Sequence, residues 1–196
     1  MTEMGEMKRR QWSGELFRGD DQLEREVARA AALCDRYNAI ASTDEAALGA
    51  ILAELLGELG EGVVVKPPFR CDYGYRTSIG ARTFINWDCS VLDGGGIEIG
   101  RHCQIAPGVE LTTATHPIDP GPRRDGWESA APISIGDNVW LGTGAIVCPG
   151  VSIGNDTVVG AGAVVVRDLP AGVVAVGVPA PPVREIGEGD RVEPPR

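Results

Sequence analysis

The sequence predicts a mainly β chain whose body is a parallel β-solenoid, with an α-helical hairpin ahead of it. Three observations carry this. Aliphatic residues recur every six positions at Ile135, Leu141, Val147, Ile153, Val159 and Val165. Four residues past each of the first five stands a second small or slim side chain, at Val139, Ala145, Val151, Thr157 and Ala163. The same phase reappears upstream in two triplets, Ile79, Ile85, Val91 and Ile99, Ile105, Leu111, with two extra residues around Gly94-Gly95-Gly96 between them. So short a period is unsuited to helical repeats and fits a solenoid of brief strands and turns. Three hexads per coil give a triangular cross-section in which aliphatics stack coil on coil and bury a continuous core. A β-sandwich would instead alternate at period two, with turns about every 8 to 12 residues.

Taken in order, residues 1–61 are expected to form the helical segment. Residues 1–19 are polar and expected to be partly ordered, with SGELF as their apolar kernel. Leu23, Val27, Ala30, Cys34 and Tyr37 then fall at helical spacing, and Asp20 or Asp21 can cap the first turn. Ser42-Thr43-Asp44-Glu45 reads as a capping box for a second helix carrying Leu48, Ile51, Leu52, Leu55, Leu56 and Leu59, which Gly60 stops. This hairpin is expected to cover part of the solenoid, whose open end would otherwise expose strand edges. The solenoid occupies residues 62–186, interrupted at 112–132 by a polar, proline-rich excursion. A loop of that length inside a compact repeat is usually functional. AGVVAVGVPAPPVREI is expected to pack back as a last extended segment, and residues 187–196 to be a disordered tail.

Composition excludes several classes. The 28 acidic against 18 basic residues leave a net charge of −10, which argues against non-specific binding to nucleic acid or to an anionic membrane. No apolar run approaches a membrane span. The first residues lack the apolar stretch of a signal peptide, so a cytoplasmic location is expected. Five cysteines without CxxC spacing fit neither a disulfide framework nor a zinc knuckle. Cys89 and Cys103 occupy the small slot of a hexad, where a thiol acts as a small hydrophobe. No metal is expected.

The chemistry points to the interrupting loop. His116, one of two histidines, lies in it, and Pro117 stiffens its placement. A neutral imidazole can take a proton from an alcohol near pH 7, which a solvated carboxylate does poorly. His102 falls at a solenoid corner and is assigned no role.

From about Ser13 to Ile186 the segments SGELF, FRCDYGY, NWDCSVLD, APGV, TATHPIDP, IGDNVWLG and PGVSIG resemble the hexapeptide-repeat acyltransferases, above all the maltose and galactoside O-acetyltransferases. The resemblance implies a left-handed parallel β-helix; the hexad spacing says nothing of the hand. It implies acetyl-CoA as cosubstrate, His116 as catalytic base, and a homotrimer with sites between subunits. By the same resemblance Asp72, Asn86, Asp93 and, less directly, Glu128 contact the acceptor, although Asp93 also suits a turn beside the glycine triplet. Thr143, Ala161 and Arg184 are implied as coenzyme contacts, with Gly142, Gly144, Gly160 and Gly162 leaving room, and Arg167, at the end of the last hexad, is expected to add local positive charge for the polyanionic coenzyme. Trp140 either walls the groove or packs on a neighbouring subunit. Three departures bear on affinity. Val166 replaces a family threonine, Pro181 a family arginine, and Gly19 stands where the family has an acidic acceptor contact, so Asp20 either substitutes for it or caps the helix.

The expected activity is therefore acetyl transfer from acetyl-CoA to a hydroxyl of a sugar or other small polyol. An antibiotic or amino-acid acceptor on the same fold is the alternative. A γ-class carbonic anhydrase needs three histidine ligands, which two unrelated histidines cannot supply. A non-catalytic scaffold would not need the TATHPIDP loop.

Overall fold

The computed structural model describes residues 4–195. Met1–Glu3 and Arg196, the ends of the expected helical segment and tail, lie outside the described residues.

Three helices precede the solenoid: α1 (Glu6–Trp12), α2 (Asp21–Asn38) and α3 (Glu45–Leu55). The first was not anticipated. Its sequence, EMKRRQW, has no apolar stripe, and it is held by polar contacts, Gly5 N–H to Gln22 Oε1 at 2.8 Å and Lys8 to Glu26 at 2.7 Å. Asp20 caps α2, its Oδ1 accepting from the amides of Gln22 and Leu23 at 3.0 and 2.9 Å. Leu23, Ala30, Cys34 and Tyr37 are buried as the spacing predicts, but Val27 is exposed and Leu33 takes a core place. Asp44, rather than the Ser42 box, caps α3 by accepting from Ala47 N–H at 3.1 Å. That helix ends at Leu55 instead of running to Gly60, because the chain turns extended at Leu56 and becomes the first solenoid strand. The solenoid therefore starts at Glu58, ahead of the expected boundary at 62.

Each coil contributes one short strand to each of three parallel sheets. The first face stacks Glu58–Leu59, Thr77–Ile79, Ile97–Ile99, Ile133–Ile135 and Ser152–Ile153. The second stacks Val64–Val65, Phe84–Ile85, Gln104–Ile105, Trp140–Leu141, Val158–Val159 and Val173–Ala175, and Pro182–Glu185 folds back antiparallel onto the last of these. The third stacks Phe69–Cys71, Cys89–Leu92, Glu110–Thr112, Ile146–Val147 and Val164–Val165.

The hexad aliphatics point inward in register. Ile79, Ile99, Ile135 and Ile153 stack on the first face, and each is at most 3% exposed. The second small position of each hexad is buried as well, Val139, Ala145, Thr157 and Ala163 completely, because the corners leave no room for more. Cys89 and Cys103 fill such positions and are buried. Side chains on the outside differ by face. The first face presents Glu58, Ser78, Glu98, Ser134 and Ser152, whereas the second presents Val64, Phe84, Gln104, Trp140, Val158 and Val174 in one ladder. His102 sits on a corner with φ of 60°, exposed. The tail after Gly187 makes a short 3-10 turn, Glu188–Asp190, tied to Arg184, where the sequence suggests disorder.

Candidate functional site

The excursion leaves the third face and returns to the first. Its two ends pair antiparallel, Ala114 opposite Ala130 and Thr115 opposite Ser129, so His116 and Glu128 are the next residues outward on the two arms. Between them Pro120–Arg124 forms a short helix, α4, capped by Asp119 Oδ1 accepting from Gly121 N–H at 2.9 Å. Arg123 stitches the loop by donating from Nη1 to the carbonyls of Pro117 and Ile118, both at 2.8 Å. The backbone following His116 is thereby fixed, while His116 itself is exposed. The amide and carbonyl of Glu128 bond those of Phe17, so the SGELF segment braces the other side of the hairpin. Trp127 lies between the guanidinium groups of Arg10 and Arg18, 5.9 and 5.1 Å from its ring centre.

Asp72 and Asp93 end neighbouring strands of the third face, at the corner from which the loop springs. Burial pushes the Asp72 carboxyl up to about 6, helped by the charges of Asp93 and Glu128, and no hydrogen bond offsets that rise. Burial also raises Glu128, and His116 works against it. The charge of His116 thus acts on Glu128, and that of Glu128 on Asp72. Asp93 is different. It is 0% exposed, with Oδ1 accepting from Tyr73 N–H at 2.8 Å and Oδ2 from the Thr77 hydroxyl at 2.9 Å. Burial outweighs those bonds and holds its carboxyl above the usual range. Both oxygens are thus engaged in holding the segment that carries Asp72, so within this chain Asp93 serves as a buried strut.

Asn86 lies elsewhere. It follows Phe84–Ile85 of the second face and its Oδ1 accepts from the Trp87 amide at 2.9 Å. Register places it at the corner between the second and third faces, which Thr143 and Ala161 share on later coils. Both of these are exposed, and Gly162 N–H donates to the Thr143 carbonyl at 2.8 Å. A face of about six residues spans roughly 20 Å at ~3.3 Å per residue. One chain therefore does not bring Asn86 to Asp72. The glycines flanking Thr143 and Ala161 divide too. A Cβ at Gly142 would come within 2.6 Å of the Ala161 amide nitrogen, so that glycine serves coil stacking, whereas Gly144 and Gly162 border open space.

Arg167 lines a cleft of about 530 Å³ with Val166, Pro179 and Pro181 at the late end of the coils. Arg184 is on the returning strand and already pairs with Asp190, Nη1 to Oδ2 at 2.7 Å and Nη2 to Oδ1 at 2.8 Å. Trp140 is 53% exposed in the apolar ladder of the second face. Asp20 is committed to its cap. Among the described residues no group of three or more His, Cys, Asp or Glu side chains is placed to hold a metal ion, and no helix is long and apolar enough to cross a membrane. Arg123, Thr77 and Phe17 were missed in the sequence. The Asp119-Pro120 helix start was the one local signal for the loop clasp; the other two depend on contacts distant along the chain.

Family models agree with this architecture. The maltose acetyltransferase hexapeptide capping motif matches residues 12–60, the hexapeptide repeat of succinyl-transferase 76–113, and the bacterial transferase hexapeptide (six repeats) 132–167. Nodulation protein L of Rhizobium meliloti (strain 1021) is 44% identical over 174 residues, covering 88% of this chain and 95% of that one. The chain belongs to the hexapeptide-repeat acetyltransferases. Within this family, the crystal structure of a maltose O-acetyltransferase from Clostridium difficile 630 superposes with a TM-score of 0.92 at 38% identity, covering 95% of this chain and 100% of the other. A galactoside acetyltransferase in complex with coenzyme A gives a TM-score of 0.92 at 33% identity, covering 95% and 94%.

Proposed function

We propose that this acetyltransferase moves the acetyl group of acetyl-CoA to a hydroxyl of a sugar or other small polyol, with His116 as general base. The observation that supports the reading is the hairpin pairing that leaves His116 and Glu128 as the next residues outward on its two arms, with the charge of Glu128 acting on Asp72. The acceptor hydroxyl would sit between the His116 imidazole and the thioester carbonyl. His116 removes the hydroxyl proton as the oxygen attacks, a tetrahedral oxyanion forms, and its collapse breaks the carbon–sulfur bond. The proton returns from His116 to the departing thiolate, which leaves as the free coenzyme thiol. Glu128 orients the imidazole and stabilises its charged form, and Asp72 accepts from acceptor hydroxyls. The names of the maltose and galactoside relatives, and the coenzyme A held by one of them, support this assignment.

Thr143, Ala161 and Arg167 are proposed to hold the coenzyme, and Arg184 would do so after releasing Asp190. Because Asn86, Thr143 and Ala161 stand at one corner and His116, Glu128 and Asp72 at another, a complete site requires two chains. A homotrimer meets that need. Exposed Val64 and Trp140, in one ladder with half-buried Val158 and Val174 on the second face, suit burial against a second copy better than solvent.

The test is initial-rate turnover of acetyl-CoA against sugars, an aminoglycoside, chloramphenicol and serine, with His116→Ala beside the unaltered protein. Loss of a positioned base should lower kcat about 10²- to 10⁴-fold while coenzyme binding persists. A fall of less than tenfold would remove His116 as the base, and faster turnover of an antibiotic or serine than of any sugar would overturn the polyol assignment.

A further inference from the structure

Two cysteines far apart in sequence meet at the seam between the helical cap and the solenoid. Cys34 on α2 and Cys71 at the end of Phe69–Cys71 have their Sγ atoms 3.7 Å apart, and either thiol can be the hydrogen-bond donor. The seam is held in register beside the pair. One helical turn beyond Cys34, Asn38 clasps the backbone of Phe69, accepting from its amide at 2.8 Å and donating to its carbonyl at 3.0 Å. The Tyr37 hydroxyl donates to the Val65 carbonyl at 2.7 Å. A bonded pair has its sulfurs at ~2.0 Å, so side-chain rotation with a small backbone shift closes the gap. Cys34 is 2% exposed, whereas Cys71 is only partly buried and offers the point of entry.

We propose that Cys34 and Cys71 are a modification site, at which a low-molecular-weight disulfide oxidises the two thiols to an intramolecular disulfide that ties α2 to the solenoid beside Asp72. In the first step the negative charge of the ionised pair passes to Cys71 as its proton moves to the Cys34 sulfur 3.7 Å away, and the Cys71 thiolate attacks one sulfur of the reagent and expels a thiolate, leaving a mixed disulfide on Cys71. Cys34 then attacks the Cys71 sulfur and expels the second reagent thiolate. The two protein thiol protons end on the two released thiols, so two thiols and one disulfide become one disulfide and two thiols. The electrostatics agree with the geometry. The hydrogen bond from Cys71 lowers the Cys34 thiol, and the same contact, with burial, drives Cys71 upward, so the pair gives up its first proton more readily than its second. The remaining cysteines lack this arrangement: Cys89 and Cys103 are buried with thiols directed at backbone carbonyls, and burial raises Cys148.

Asp72 directly follows Cys71, so drawing Cys71 toward α2 displaces the acceptor carboxylate relative to Glu128 and His116. The activity consequence rests on the proposed acetyl transfer; the chemical modification does not. The experiment incubates the full-length protein with oxidised glutathione and follows intact mass, a non-reducing peptide map, and kinetics with each substrate varied. Expected are a loss of two hydrogens, a Cys34–Cys71 crosslinked peptide, and a fall of about 10- to 100-fold in acceptor kcat/KM, the scale of an ångström-sized misplacement. The KM for acetyl-CoA should hold, and dithiothreitol should restore the acceptor value. Cys34→Ala should abolish the crosslink and stop at the Cys71 mixed disulfide, Cys71→Ala should abolish both crosslink and inhibition, and Cys148→Ser neither. Failure to form the Cys34–Cys71 peptide under conditions that glutathionylate Cys148, or a crosslink joining any other pair, overturns the site. A Cys34–Cys71 crosslink with acceptor kinetics unchanged overturns its link to Asp72. A protein inactive toward every acceptor would defeat the proposed transfer while the peptide map still decides the disulfide.

Discussion

Asp93 offers a sharp test, because contact with an acceptor and a buried strut predict opposite phenotypes for one substitution. Asp93→Ala removes both hydrogen-bond acceptors, leaving the Tyr73 amide and the Thr77 hydroxyl unpaired in a site with no exposure. Each orphaned donor costs about 1–3 kcal/mol. The loss is partly offset because burial already holds the Asp93 carboxyl above its usual range, so removing it also relieves a desolvation penalty. The expected net destabilisation is about 2–4 kcal/mol, a large share of the ~5–15 kcal/mol that holds a typical domain together. Asp93→Asn keeps one carbonyl oxygen for the Tyr73 amide and can donate to the Thr77 hydroxyl, so it should cost about 1 kcal/mol or less. Urea denaturation monitored by circular dichroism measures both, beside initial-rate kinetics on the best acceptor. An alanine variant as stable as the parent but with a raised acceptor KM would refute the strut and return Asp93 to the acceptor's shell.

Three further outcomes follow from the same geometry. The acceptor KM should depend on pH with an apparent pKa of about 6, the value to which burial raises Asp72, and Asp72→Asn should abolish that dependence. Since this group binds its proton more tightly folded than unfolded, its contribution to stability should fall as pH rises from about 4 to 6 and stay lost above, so Asp72→Asn should be at least as stable as the parent at pH 7 in thermal melts. Ile153→Asp would bury an unpaired carboxylate in the stacked core and should unfold the chain; a retained β signature in far-UV circular dichroism would contradict the register. Arg123→Ala frees the carbonyls of Pro117 and Ile118 and should lower kcat roughly tenfold or more through misplacement of His116, with denaturation midpoints nearly unchanged because the clasp is exposed.

The hexads were legible because a solenoid repeats one steric demand: Ile135, Leu141 and Val147 face the same narrow interior, so spacing alone reveals both the coil and its buried positions. Aspartate cap and apolar stripe announced α2 for the same local reason, while α1, lacking a stripe and held by Lys8 and Gly5 contacts to a later helix, left no periodic trace. His116 stood out as a histidine in the one interruption of the repeat, and its roles and partners were implied by resemblance. Its place with Glu128 as the next residues outward on the two arms, and the Arg123 clasp, belong to hairpin pairing and loop closure, which spacing does not encode. The same limit explains Asp93 and Asn86. A carboxylate or amide near a glycine turn reads alike whether it points to solvent, into a strut or toward another chain, and only the stacking of coils separates the buried Asp93 from the half-buried Asp72 and sends Asn86 to a different corner. Cys34 and Cys71, 37 residues apart, have no spacing that links them, and it is the packing of α2 on the third face that sets their sulfurs together. Repetition writes itself into a sequence because many positions share one environment; a site is made of single residues whose environments are supplied by segments distant along the chain.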